Sequence, residues 1–141
     1  MKISTFWHMP VSQKKMFFIN FLLCGLARLA INVLPFKWLT RYFGQFCKAM
    51  TVSTIISKTK IQQASVIGHS IRLAAKYTPW YSNCLTQALV ATFWCRHYNI
   101  PYMLFLGFTK SATQLKRFDG HAWVTAGPVA ISGGDGFYQL N

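Results

Sequence analysis

Apolar residues dominate positions 14–33: the run that starts at Met16 is interrupted at Arg28 and Asn32, and the stretch predicts a helix buried on one broad face. Pro35 ends that helix and opens a second, Phe36 to about Met50, in which Phe36, Leu39, Phe43, Phe46 and Cys47 share a face. Thr51 to Thr59 is rich in Ser, Thr and β-branched residues and reads as a loop. From Lys60 to Tyr77 a third helix is expected, with Ile61, Ala64, Ile67, Gly68, Ile71, Ala74 and Ala75 in one stripe. Pro79, Ser82 and Asn83 then punctuate a new start. The run behind them, with Leu85, Ala88, Leu89, Thr92 and Phe93 at helical spacing, stops near Asn99-Ile100-Pro101.

After Asn99 the pattern changes. Tyr102 to Thr109 is a continuous apolar and aromatic run, the mark of a well-buried strand. Lys110 to Arg117 is a basic loop, His121 to Thr125 a second strand, Gly127-Pro128 a turn, and Val129 to Ser132 a third strand before Gly133-Gly134-Asp135-Gly136. Helices followed by an antiparallel sheet predict an α+β fold. With 141 residues there is room for one domain, its helical part in residues 1–79 and its chemistry in residues 80–141.

A hydrophobic content of 52% with 16% aromatics excludes a disordered chain. Fifteen Lys and Arg against two acids give a net charge of +13, so anionic partners are favoured. No zinc finger, phosphate loop or ribonucleoprotein signature accompanies the charge, and no nucleic-acid partner is expected. The expected role of the charge is steering toward an acidic peptide or partner; the alternative is an interfacial helix at residues 14–33 resting on anionic lipid. Lys14-Lys15 before an apolar run resembles a secretory start, but the Arg28 and Asn32 interruptions and the missing cleavage site weigh against one. Cys24, Cys47, Cys84 and Cys95 contain no C-x-x-C pair, which argues against a zinc ribbon or disulfide framework and for a reducing, cytoplasmic setting. A metal site from Cys84, Cys95, His97 and His121 matches no ligand spacing, and no cofactor is expected.

Cys84 is the candidate nucleophile. It stands at a helix start, where the dipole and the N–H groups of the first turn favour the thiolate form that attacks a carbonyl. His121 follows in order as general base, and an acid would orient its imidazole. Only Asp119 and Asp135 exist in the chain. Asp135 is preferred because orienting groups usually come from a neighbouring strand and Gly133-Gly134 allows the necessary turn; Asp119, two residues before His121, is the alternative.

The chain resembles the transglutaminase-like, papain-like cysteine peptidases of lasso-peptide biosynthesis, specifically the standalone peptidase half of the B protein. The resemblance rests on Ala27-Arg28-Leu29-Ala30 with Leu34-Pro35-Phe36, on Pro79-Trp80 followed by Cys84-Leu85-Thr86-Gln87-Ala88-Leu89, on Leu106-Gly107-Phe108, and on His121-Ala122-Trp123-Val124. Thr125 stands where relatives commonly carry an acid. The resemblance implies leader removal from a ribosomally made precursor before macrolactam closure, with the triad roles on Cys84, His121 and Asp135. It also implies two partners besides the precursor, a separate leader-recognition protein and an asparagine-synthetase-like cyclase. A noncatalytic peptide-binding member of the same fold and a basic membrane-surface protein are the alternatives.

Overall fold

The computed structural model describes residues 11–43, 56–80, 82–110 and 118–133. Among these, four helices precede three strands: α1 (Val11–Val33), α2 (Phe36–Phe43), α3 (Lys58–Tyr77), α4 (Cys84–His97), β1 (Met103–Lys110), β2 (Phe118–Ala126) and β3 (Val129–Ser132). The strands make one antiparallel sheet in the order β1-β2-β3. This is the α+β arrangement the pattern predicts. Residues 44–50, the end of the predicted second helix, lie outside the described residues. The strand expected from His121 begins instead at Phe118, because β1 runs on to Lys110 and the ladder pairs Lys110 with Phe118. Main-chain pairing needs no apolar side chain, so polar residues at a strand end carry no sign of it in the sequence.

α4 is the centre of the domain. Thr86, Ala88, Leu89, Val90, Ala91, Thr92, Trp94 and Cys95 are all buried, which leaves the helix covered on nearly every side. It packs against β2 and β3, while α1 and α3 pack on it and on each other. Phe93, at helical spacing with Leu85, Ala88, Leu89 and Thr92, stands exposed and stacks on His97. Burial on nearly every side leaves this helix without a one-sided apolar periodicity. α2 closes one end, where Leu39 and Phe43 meet Leu89.

α3 presents the expected stripe, with Ala64, Ile67, Gly68, Ile71 and Ala74 buried. Gly68 has a packing reason for its place in a helix: a Cβ there would come within 2.9 Å of the Ile131 carbonyl oxygen. At that point β3 carries a bulge, since Val124 pairs with Ser132 and Thr125 with Ala130, leaving Ile131 as the extra residue. Arg72 spans the same bulge, its Nη1 lying 3.4 Å from the carbonyls of both Ala130 and Ile131.

α1 forms an outer layer and buries Phe17, Asn20 and Cys24. Asn20 is the polar node of the helical half. Its Nδ2 donates to Ser70 Oγ at 2.7 Å, and Trp94 Nε1 donates to its Oδ1 at 2.6 Å. One buried amide thereby ties α1 to α3 and α4. The broad buried face expected of residues 14–33 is narrower in the structure, and much of the apolar surface of α1 faces outward.

Candidate active site

The segment before Cys84 is fixed by short-range polar contacts. The Thr78 hydroxyl lies 3.0 Å from the Ala75 carbonyl, 3.3 Å from that of Trp80 and 2.9 Å from Ser82 Oγ. Asn83 has an extended backbone and caps α4: its Oδ1 accepts from Thr86 N at 3.0 Å and from Thr86 Oγ1 at 2.8 Å. Gln87 Nε2 reaches back to the Ser82 carbonyl at 3.2 Å. These bonds make Cys84 the first residue of a firmly started helix. The N–H groups of a helix's first turn point out along its axis, where they can receive an oxyanion.

Cys84 is half-buried, and its side chain packs on the core cluster that holds Ala122 and Val124 of β2. Along β2, Ala122, Val124 and Ala126 are buried in the core, and His121, Trp123 and Thr125, of opposite parity, are half-buried. His121 has its ring 5.6 Å from that of Trp123, which stacks on Phe105 at 5.3 Å. Its Nε2 lies 3.3 Å from the Gly133 carbonyl oxygen. A carbonyl only accepts, so in this contact Nε2 carries the proton and Nδ1 keeps the lone pair a base requires.

Gly133 was visible in the sequence only as part of a turn. It has φ 68°, and a Cβ would lie 2.6 Å from the Ala122 carbonyl oxygen and 2.7 Å from Trp123 Cβ. No other residue fits there without moving β2, so the carbonyl that meets His121 is held by a position only glycine can occupy. Asp135 lies outside the described residues; Asp119 is on β2, paired with Thr109. Cys84 and His121 are carried on packed elements, α4 and β2, but by the alternation along β2 the imidazole leaves the strand on the face opposite Ala122 and Val124, the residues that share the core with Cys84. Cys95 and His97 sit at the other end of α4, about 16–20 Å from Cys84 along the axis, too far to share a metal with it.

The other described thiols differ in setting. Burial pushes Cys95 up to about 12 and Cys24 up to about 11, the latter offset in part by a hydrogen bond with Ser82. Both therefore stay protonated far above neutral pH. Iodoacetamide at pH 7–8 should alkylate Cys84 in the native protein and leave Cys24 and Cys95 unmodified until denaturant is added, as read by peptide mass spectrometry. Raising the pH to 9 should not open either buried thiol. Equal labelling of Cys84 and Cys95 would remove the distinction drawn between them.

A central helix with a cysteine at its capped start, packed on an antiparallel sheet whose middle strand carries a histidine, defines an α+β domain of the transglutaminase-like kind. The chain belongs to the transglutaminase-like superfamily, whose family model matches residues 30–139. No curated protein and no solved structure matches it significantly.

Proposed function

We propose that the protein is a cysteine peptidase that removes the leader from a lasso-peptide precursor before the macrolactam is closed. The observation that carries the chemistry is the placement of Cys84 at the capped first position of α4 while β2, packed on that helix, carries His121 with Nε2 turned to Gly133. In this reading Nδ1 of His121 takes the thiol proton, and the thiolate attacks the scissile carbonyl. The imidazolium then protonates the leaving amine, and water hydrolyses the acyl-enzyme. The orienting acid is Asp135, two residues after Gly133, which in this reading takes over the Nε2–H from the Gly133 carbonyl; Asp119 is the alternative. The leader class rests on the Cys84-Leu85-Thr86-Gln87 and His121-Ala122-Trp123-Val124 elements. In the same reading a separate protein binds the leader, and an asparagine-synthetase-like cyclase receives the product.

The test is cleavage of the precursor with and without the recognition protein, followed by mass spectrometry. Bringing the leader close should raise the rate by roughly 10²-fold or more at low substrate. No cleavage in either mixture, with peptide still bound, would make this a noncatalytic member of the fold. Equal rates in the two mixtures would place the leader site on this chain.

A further inference from the structure

α1 has two unlike faces, and the apolar one is outside. Its inner side carries the hydrogen-bonded amide of Asn20. Its outer side repeats Val11, Ile19, Leu22, Leu26, Leu29 and Val33 at helical spacing, and the last four are 65, 62, 59 and 69% exposed. A helix at a protein–water boundary carries the reverse pattern. The stripe runs the length of 23 residues, about 33 Å at 1.5 Å per residue. Trp38, also exposed, follows on α2.

The accompanying charge has one sign. Lys14 and Lys15 stand near the start of α1, Arg28 toward its end, and Lys37 and Arg41 on α2; no acid precedes Asp119 in the chain. A second copy laid on this face would bring only basic groups together, which costs rather than stabilises. A protein partner would need a long groove both apolar and acidic, whereas a lipid surface needs only area and negative charge. Spanning the bilayer is opposed by the packing: α1 buries Cys24 and Phe17, and Asn20 bonds it to α3 and α4.

We propose that the outer face of α1 docks the domain on an anionic bilayer surface, the helix lying in the headgroup plane with Leu22, Leu26 and Leu29 inserted and the basic residues against lipid phosphates. The steering role expected from charge alone requires no apolar face. This one has it. Docking is independent of the reaction at Cys84, yet it bears on where that reaction happens. Phe21 packs its ring 5.0 Å from that of Trp80, and Gly25 leaves room for the same indole, so the stretch leading to Cys84 rests against α1.

The test is co-sedimentation of the full chain with phosphatidylcholine vesicles, with and without about 30% phosphatidylglycerol, at roughly 0.1 M salt. Partitioning should be roughly tenfold stronger or more to the anionic vesicles. Leu22→Ser with Leu26→Ser and Leu29→Ser should lower it by roughly tenfold or more, and Lys15→Gln with Lys37→Gln by about fivefold per charge, both with unchanged circular dichroism. Trp38 fluorescence should shift to the blue on anionic vesicles and be lost from the difference spectrum in Trp38→Phe. Failure of the unmodified protein to sediment with anionic vesicles overturns the proposal. So does binding that survives the leucine substitutions, which would be charge alone. A dimer in analytical ultracentrifugation that the same substitutions dissolve, without vesicle binding, would give the face to a second copy.

Discussion

Cys84→Ala should abolish precursor cleavage, with a loss of roughly 10³-fold or more in kcat, and His121→Ala should do nearly the same. Cys84 starts a capped helix and is half-buried. Its replacement removes one sulfur without leaving a large cavity, so circular dichroism should stay unchanged. Because the thiol and the imidazole act as one unit, the double variant should be no slower than the worse single one. Asp135→Asn should lower kcat less severely, since an amide still orients the ring but no longer stabilises its cation. Full activity in Cys84→Ala would reject covalent catalysis at this residue; full activity in Asp135→Asn, with loss in Asp119→Asn, would move the orienting role to Asp119. Gly133→Ala adds a geometric check. Its Cβ cannot coexist with the Ala122 carbonyl and Trp123 Cβ in this backbone, so it should cost activity even where the fold survives.

The sequence carried most of the fold because its elements are bounded by residues with local mechanisms. Pro35, Asn83 and the Gly127-Pro128 turn lie where the structure ends or starts an element. The α3 stripe was readable because that helix has one buried face. α4 was readable at its start, where capping is local, but not along its length, where packing from both sides buries Val90 and Trp94 and leaves Phe93 outside. Cys84 and His121 could be picked out by order and residue type. The contact of His121 with Gly133 could not, because it depends on the return of β3 alongside β2 and on a left-handed backbone at residue 133. The outward apolar face of α1 was legible only as the alternative, an interfacial helix, to the buried face expected there. Apolar residues circle that helix, and periodicity alone does not say which part of the circle the domain covers.

Asn20 is the clearest case of a residue whose weight comes entirely from tertiary placement, and its replacement should have the largest effect on stability. In sequence it is one polar residue in an apolar run. In the structure it is fully buried between the Ser70 hydroxyl and the Trp94 indole, with both bonds near 2.7 Å or shorter. Asn20→Ala removes both bonds and leaves a buried hydroxyl and a buried indole N–H without that partner. It should cost roughly 3 kcal/mol, much of it the desolvation of groups left unmet. Asn20→Leu should fare no better, since it restores volume but supplies neither acceptor nor donor. Chemical denaturation would measure the loss, and Tm should drop by roughly 10 °C. Adding Ser70→Ala to Asn20→Ala should cost less than the two single changes together, because the second change removes a group the first has already orphaned. If Asn20→Ala stays within about 0.5 kcal/mol of the unmodified protein, the amide is not what fastens α1 to the domain, and the outer helix is held by its apolar contacts, Phe17, Cys24 and the Phe21–Trp80 pair among them.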